Sequence, residues 1–472
     1  MTIQPVSQPT LTPPQRACGC GSSSGDEVRL GEREQAVQRV SLGELAAHKG
    51  SDLFAILDKA IQAVRCAPLS ALDEERLKKL AHDIPKVDLH RHLEGAIEPH
   101  RLVEIALKHN LPLPSYDVEQ LRPHIQITPT DRGLLDFLKK FEPIGNVFKD
   151  KEVIADITYA AVADAHDDNV KYLELRYSPQ YMAKAHNLNL DDVVTGVFEG
   201  MQRAADDFDT KVGLMLIVER WDTMDRAREV EELAVRHQDK GIVALDLAND
   251  EVHFPPGPFG PIFQDARKAG LKITVHAGEA GDTAADNVRV SIEQLGADRI
   301  GHGVRAYLDP AVEQLAIDKQ VVFEMCPTSN VQTDSIEKLE DHPIRRYHEK
   351  GLPVTINTDD PSISGITLSH DVALVAREFD FSLNDLRRME QNGIDSAFTD
   401  EASRQNLTRS FDEGFRQAER SLVSSLSLEE LESLALRGVE AGPGSQAEKD
   451  ALRAQIQREL NALRDGQVRD QG

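Results

Sequence analysis

Residues 87–96, VDLHRHLEGA, contain the pattern from which the fold and the site of this chain can be worked out. Val87, Asp88 and Leu89 indicate the end of a strand, and two histidines, a carboxylate and a glycine follow them. In a strand, residues i and i+2 point to the same side, so His90 and His92 can present two imidazoles to one point. The stretch therefore predicts a strand that ends in a binding site.

Seven more β-rich runs follow the first one, and helical segments lie between most of them. The eight runs are KVDLH (86–90), VKYLELRYSP (170–179), VGLMLIVER (212–220), IVALDLANDE (242–251), KITVHAGE (272–279), RIGHGV (299–304), VVFEMCPTSN (321–330) and PVTINTDDP (353–361). Alternation of strand and helix to a count of eight predicts a parallel sheet closed into a barrel. We expect an α/β fold, a (β/α)8 TIM barrel, over about residues 84–420.

The segments outside the barrel differ from it in composition. Residues 1–27 are rich in Pro, Gln, Thr, Ser and Gly, which predicts disorder. Residues 28–83 predict a helical extension, with apolar residues at helical spacing. Residues 421–472 predict a helical tail that is interrupted by the AGPGS stretch at 441–445.

Charge and composition exclude some classes of partner. The 472 residues include 54 basic and 80 acidic side chains, for a net charge of −26. A field of that sign repels phosphate backbones, so no nucleic acid partner is expected. The chain starts without a secretory signal, and no stretch reaches the ~20 apolar residues of a spanning helix. We expect a cytoplasmic enzyme with no membrane partner. A homo-oligomer is possible, and the sequence does not decide the oligomeric state.

Polar side chains lie at the predicted strand ends, where a barrel enzyme builds its active site. The fifth strand is expected to end in His276, the sixth in His302 and the eighth in Asp359. Together with His90 and His92, the residues His276 and Asp359 would supply three nitrogens and one oxygen. That set suits Zn²⁺, with bonds of ~2.0–2.2 Å, and leaves room for a water. Such an ion makes hydroxide available from water near neutral pH.

Three more polar residues would act on the substrate. Glu279 follows His276 in a glycine-containing turn and would donate a proton if burial raises its pKa. His302 would take or orient the proton of the water, and Asp360 would accept a hydrogen bond. The alternatives are a rim salt bridge for Glu279, a tight turn around His302 and a helix cap at Asp360. These residues occur together at the ends of strands one, five, six and eight, where one barrel mouth can gather them, and this favours the interpretation as a metal site.

The motifs KVDLHRHLEGAIEP, YLELRYSP, VALDLANDE, VHAGEAG, RIGHGV, CPTSN and INTDDP resemble the adenosine deaminase family, in matching order. The similarity covers about residues 84–410. Members are zinc-dependent (β/α)8 hydrolases that convert adenosine and water to inosine and ammonia. The resemblance implies a purine nucleoside substrate, with 2′-deoxyadenosine included, one Zn²⁺ per subunit and a role in purine salvage.

The resemblance also assigns roles by position. The implied zinc ligands are His90, His92, His276 and Asp359, and His92 would also border the substrate. Glu279 resembles the residue that protonates purine N1. His302 resembles the one that positions and deprotonates the attacking water, and Asp360 resembles the carboxylate that accepts from N7.

The stretch LLDFLKKFEPI, residues 134–144, resembles the lid helix of the family. The resemblance implies that Phe137, Leu138 and Phe141 cover the purine, and the alternative for all three is ordinary helix core.

Two positions depart from the family pattern and bear on the substrate. Glu94 stands where the family usually has an Asp that contacts a ribose hydroxyl. Asn249 stands where a glycine normally lets the backbone approach purine N3, so its side chain either intrudes or supplies its own hydrogen bond.

Other functions stay open. Adenine, an N6-modified adenosine or another 6-aminopurine would keep the reaction and change the substrate. A binuclear metallohydrolase usually needs a strand-four lysine, which IVALDLANDE lacks. A catalytically silent family member should have lost a metal ligand or the catalytic Glu, and every one of these positions is present here. The four cysteines form no disulfide framework, and the zinc deaminase class with a Pro-Cys-x-x-Cys signature is excluded because that motif is missing.

Overall fold

Eight parallel strands form the centre of the protein. The computed structural model describes residue 42, residues 57–131 and residues 133–470. The strands are β1 (Lys86–His92), β2 (Val170–Tyr177), β3 (Lys211–Glu219), β4 (Ile242–Ala248), β5 (Lys272–Ala277), β6 (Arg299–His302), β7 (Val322–Met325) and β8 (Val354–Ile356). They pair in sequence order from β1 to β8. The predicted TIM barrel is therefore confirmed, and each of the eight predicted runs overlaps one strand.

The barrel closes between its first and last strands at the level of the predicted site. The main-chain N–H of His92 donates to Asp359 O at 2.8 Å, and the N–H of Asp359 donates to His90 O at 2.8 Å. Arg91 and Asp359 form a parallel bridge there. Closure thus places the residues that follow β8 directly beside the end of β1.

Helices surround the strands, as the alternating pattern predicts. In the described part of the chain they are α1 (Asp58–Val64), α2 (Glu74–Asp83), α3 (Pro99–His109), α4 (Val118–Ile125), α5 (Gly133–Lys139), α6 (Phe141–Gly145), α7 (Lys151–Asp167), α8 (Pro179–Lys184), α9 (Leu190–Asp207), α10 (Met224–Arg236), α11 (Gly260–Lys268), α12 (Ala284–Val290), α13 (Pro310–Lys319), α14 (Pro327–Gln332), α15 (Ile344–Glu349), α16 (Pro361–Ser364), α17 (Leu368–Glu378), α18 (Leu383–Ser396), α19 (Glu401–Ser425), α20 (Leu428–Ala441) and α21 (Gln446–Asp470). None of these described helices is long and apolar enough to span a membrane.

The first described helix, α1, packs against α20, which lies near the other end of the chain. A Cβ atom on Gly438 of α20 would lie 1.8 Å from Ala63 O of α1, so only glycine permits this approach. Helices α1 and α2 match the helical pattern expected before the barrel, and α20 and α21 flank the AGPGS break. The expected disorder of residues 1–27 lies outside the described residues, and the segment boundaries near 84 and 420 stay predictions.

Candidate active site

Four side chains meet at the carboxyl ends of the strands, and we call them the rim cluster: His90, His92, His276 and Asp359. One ligand atom from each lies within 4.8 Å of the other three. His90 Nε2 and His92 Nε2 lie 3.3 and 3.2 Å from Asp359 Oδ1, and the Nε2 atoms of His92 and His276 lie 3.2 Å apart. Ligands of an ion with bonds of ~2.0–2.1 Å in a tetrahedron are separated by ~3.3 Å. The rim cluster therefore has the spacing that holds a small divalent metal ion.

The far side of two of these rings is fixed by carboxylates. His90 Nδ1 lies 2.8 Å from Glu324 Oε2, and His276 Nδ1 lies 3.0 Å from Asp246 Oδ2. Because an ionised carboxylate only accepts hydrogen bonds, it holds the ring proton on Nδ1 and leaves Nε2 as a lone pair. His90 Nε2 is buried and has no hydrogen-bond partner among the described residues. An orphaned nitrogen of this kind is what a metal ligand needs.

Beneath the rim cluster lies a set of buried charges, the inner ion network: Arg176, Arg299, Glu174, Asp246 and Glu324. Arg176 donates to Asp246 Oδ2 at 2.9 Å and to Glu324 Oε2 at 2.7 Å. Arg299 donates to Glu324 Oε1 at 2.6 Å and also pairs with Glu174. Burial alone would raise the pKa of Glu324, but the two guanidinium groups hold it well below its usual range. The network thus keeps the carboxylates behind His90 and His276 ionised.

Glu279 lies on the turn after β5, and the carboxylate of Glu251 holds that turn. Glu251 accepts hydrogen bonds from the N–H groups of Gly278 at 3.0 Å and Ala280 at 2.7 Å, and from the N–H of Glu279 itself. The side-chain amide of Asn287 also donates to it, at 2.9 Å. Burial, followed by the negative charge of Glu251, raises the pKa of Glu279 well above its usual range. Glu279 is therefore suited to donate a proton.

His302 ends β6 beside the rim cluster. Its ring centre lies 4.6 Å from that of His90 and 5.1 Å from that of His276, and its Nε2 lies 3.5 Å from Glu279 Oε1. His302 and Asp359 both adopt a left-handed backbone, with φ of 63°, which is uncommon for residues other than glycine and is typical of functional sites. Folding thus brings the predicted acid and the predicted water-orienting residue together.

Glu94 and Asp360 each present a carboxyl oxygen that has no hydrogen-bond partner in the described structure. Glu94 Oε1 accepts from the N–H of Ser178 at 2.7 Å, whereas Glu94 Oε2 and Asp360 Oδ1 are buried and unpartnered. Burial raises the pKa of Glu94 to about 8. A Cβ on Gly95 would lie 2.0 Å from Asp360 Oδ1, so the loop after β1 packs directly against Asp360 and has room only for glycine at residue 95. These oxygens are available to a ligand.

The other residues expected at the substrate lie on loops and short helices. Asn249 follows β4 and has a φ of 80°, a conformation in which glycine is favoured. Phe137 is 3% exposed, and its ring lies 6.2 Å from that of Phe141. Leu138 is 37% exposed. Phe137 and Phe141 thus pack on each other, and Leu138 faces outward on α5.

Several residues of the site were given no role from the sequence. The sequence did contain a signal for Glu324, Asp246 and Arg176. They are charged residues inside apolar strand runs, and such positions face the interior of the barrel. Ser329, whose hydroxyl donates to Asp359 Oδ2 at 2.7 Å, gave no such signal. Cys326 is also close: its sulfur and ligand atoms of His90, His302 and Asp359 lie within 4.8 Å of one another.

Comparison with known proteins bears on the same segment. A sequence model of the adenosine deaminase family matches residues 85–413. A protein of Proteus mirabilis (strain HI4320) named adenosine deaminase is 39% identical over 326 residues, which cover 69% of this chain and 97% of that protein.

Solved structures of two related enzymes share the fold. The crystal structure of an adenine deaminase from Arthrobacter aurescens matches with a TM-score of 0.64 and 28% identity, over 70% of this chain and 98% of that chain. The apo structure of the N6-methyl-AMP deaminase from Arabidopsis thaliana matches with a TM-score of 0.62 and 25% identity, over 71% and 98%. Since the family match spans most of the barrel, this chain belongs to the adenosine deaminase family of hydrolases.

Proposed function

We propose that this protein removes the 6-amino group of adenosine and 2′-deoxyadenosine by hydrolysis, and releases ammonia and the 6-oxo nucleoside. The observation that carries the proposal is the rim cluster, in which imidazole and carboxylate ligand atoms lie 3.2–3.3 Å apart beside Glu279 and His302. The relative at 39% identity supports adenosine as the substrate, since it is named adenosine deaminase and is covered almost completely.

One zinc ion per subunit fits the rim cluster. The proposed ligands are His90, His92, His276 and Asp359. Three imidazoles and one carboxylate are the donor set of many catalytic zinc sites, and the orphaned His90 Nε2 supports this assignment. A bound zinc supplies a Lewis acid that makes hydroxide available from water near pH 7. His92 ends β1 and would border the purine as well as the ion.

Glu279, Asp360 and His302 act on the purine and the water in this proposal. The raised pKa of Glu279 favours the protonated form of its carboxyl, so it can donate a proton to N1. Protonation of N1 makes C6 more electrophilic and favours attack by water. N7 of adenosine carries no hydrogen, so Asp360 acts as a donor to it and not as an acceptor. Burial and the negative charge of Asp359 raise the pKa of Asp360 well above its usual range, and its unpartnered oxygen can carry the proton. His302 orients the water, since its ring lies against two members of the rim cluster.

Glu94 and Asn249 would contact the sugar side and the N3 edge of the substrate. Glu94 is one methylene longer than the Asp usual at its position, and its unpartnered Oε2 would form a hydrogen bond with a hydroxyl. Asn249 carries a side chain where glycine is usual. Phe137, Leu138 and Phe141 would form the cover over the purine. These assignments extend the proposal beyond the reaction to its specificity.

A second candidate is adenine or another 6-aminopurine derivative. The observation that favours it is Glu94, because the longer carboxyl takes up part of the space next to the site. The structural relatives named adenine deaminase and N6-methyl-AMP deaminase have the same fold.

The test is ammonia release from adenosine, 2′-deoxyadenosine, adenine, N6-methyladenosine and N6-methyl-AMP, together with metal analysis of the purified protein. We expect the highest kcat/KM on the two nucleosides and close to one zinc per chain. A higher kcat/KM on adenine would replace the first candidate by the second. No turnover of any 6-aminopurine by the zinc-loaded protein would overturn both.

A further inference from the structure

A chain of three hydrogen bonds runs from the start of α15 to His302. The N–H of Ile344 donates to His342 Nδ1 at 3.3 Å. His342 Nε2 lies 3.2 Å from Asn330 Oδ1, and Asn330 Nδ2 lies 3.0 Å from His302 Nδ1. His342, Asn330 and His302 are all almost fully buried. Neither His342 nor Asn330 was assigned a role above, and neither is a member of the rim cluster.

The polarity of this chain is set at its first bond. A main-chain N–H only donates, so His342 Nδ1 must accept and the ring proton of His342 must lie on Nε2. Burial lowers the pKa of His342 to about 3, which keeps this ring neutral. His342 Nε2 therefore donates, and the side chain of Asn330 must turn its oxygen toward it.

The same polarity continues to the site. Once the oxygen of Asn330 faces His342, its NH₂ group faces His302 Nδ1 and donates to it. A proton on His302 Nδ1 would oppose that donor at a buried position, where a donor that is left without an acceptor is unfavourable. His302 Nδ1 therefore accepts, and the proton of the neutral ring lies on Nε2, which faces Glu279 and the rim cluster.

We propose that His342 and Asn330 are positioning residues that hold His302 in the tautomer protonated on Nε2, so that His302 enters the reaction as a hydrogen-bond donor to the attacking oxygen. The chemical meaning of this inference rests on the proposed function, since it concerns the water that attacks C6. It differs from the role that the family resemblance implies, because a nitrogen that already carries a proton cannot take one from water. A fixed donor at this position stabilises negative charge on the oxygen.

Neutron diffraction of the deuterium-exchanged, zinc-loaded protein tests the tautomer directly. We expect a deuteron on Nε2 of His302, a deuteron on Nε2 of His342, and none on Nδ1 of either ring. A deuteron on Nδ1 of His302 would overturn the proposal. This result does not depend on which purine is turned over, so a failure of the proposed substrate leaves the tautomer measurement intact.

The variant Asn330→Asp tests the consequence for catalysis. An ionised Asp at this position accepts from both imidazoles, which moves the proton of His302 to Nδ1 and leaves Nε2 as a base. A wrong tautomer costs up to ~10⁴-fold in kcat where a histidine must present one defined nitrogen. We expect kcat to fall ~10²-fold or more, with KM and zinc content within about twofold. An unchanged or increased kcat would show that His302 works as a base.

A matched pair at His342 separates polarity from packing. In His342→Gln the amide nitrogen can still donate to Asn330 Oδ1, and we expect most of the rate to be kept. In His342→Leu no donor is left, and we expect a loss of about tenfold in kcat with zinc content unchanged. Equal losses in the two variants would contradict the proposal, because only the leucine variant removes the donor. The deuteron positions in wild-type protein decide the question if either variant fails to fold.

Discussion

The rim cluster and the inner ion network are both buried, polar and built from inward-facing strand residues, yet they differ in how their groups are paired. In the inner ion network each carboxylate faces at least one guanidinium, so every charge in it has an opposite charge as its neighbour. In the rim cluster three imidazoles converge on one carboxylate, and His90 Nε2 has no hydrogen-bond partner in the described residues. Pairing of opposite charges indicates a structural role, whereas imidazole nitrogens that converge on one point are available as ligand atoms for an ion.

The two regions are also connected. Glu324 and Asp246 belong to the inner ion network and hold the Nδ1 atoms of His90 and His276. A change in the network should therefore affect metal affinity, while a change at Glu279 should affect turnover alone. This difference can be tested by measuring stability, metal content and kcat for each variant.

The largest effect is expected at Glu279, which acts on the reaction without holding the metal. Glu279→Gln removes the acidic proton and keeps the size of the side chain, so kcat should fall ~10³–10⁴-fold. Zinc content should stay near that of the wild-type protein. Asp282→Asn, on the same turn but exposed, is the matched control and should keep its rate. Retention of wild-type kcat by Glu279→Gln would exclude Glu279 as the proton donor.

Glu324→Gln tests the network itself. The variant removes the negative charge that Arg176 and Arg299 share and leaves each guanidinium with a single carboxylate partner, so the free energy of unfolding should fall by about 3 kcal/mol. Urea denaturation of the zinc-loaded protein measures the loss.

Glu293→Gln is the control for that measurement. It breaks an exposed pair with Arg289 and should cost less than about 0.5 kcal/mol. Equal losses in the two variants would mean that the buried network has no special contribution to stability.

Asp246→Asn acts on both regions at once. The amide no longer offers the full negative charge that holds the Nδ1 proton of His276. Loss of such an outer partner typically costs 10–100-fold in metal affinity, about 1.4–2.8 kcal/mol. Competition with a chelator gives the zinc affinity, and Asp265→Asn, a partly exposed position on α11, serves as control. Unchanged affinity would mean that the rim cluster does not depend on the network.

The smallest effect is expected at Asp156 on α7, a paired carboxylate near the surface. Burial would raise its pKa, but hydrogen bonds from Lys108, His109 and Arg203 lower it to about 2. Because this value lies below that of the unfolded chain, the stabilisation is present above pH ~4 and is lost as the pH falls toward 2. Asp156→Asn should cost about 1–2 kcal/mol at pH 6.

The pH dependence of that cost is the decisive measurement. Denaturation of both proteins by urea at pH 6, 4 and 3 should give a difference that shrinks with acidity. A difference that grows as the pH falls would contradict the lowered pKa of Asp156.

The barrel could be predicted because its signal is repeated eight times along the chain. His90, His92, His276 and Asp359 could be predicted to meet because strand ends of a parallel barrel share one rim. Asn330 and His342 could not, since their hydrogen bonds depend on how α14 packs beside the loop before α15. The spacing of 12 residues between them has no local pattern. The role of Glu251 depends in the same way on where the turn after β5 comes to lie.

The close approach of Gly438 to Ala63 has a practical consequence for anyone who shortens this protein. The family match begins at residue 85 and stops at residue 413, so both helices of this contact fall outside it. Trimming at residue 85 alone would remove α1 from α20, a helix whose Leu431, Leu434 and Val439 are buried in the full chain, and would uncover the apolar face of α20 that packs on α1. Such a face promotes aggregation. The two ends should be removed together or kept together.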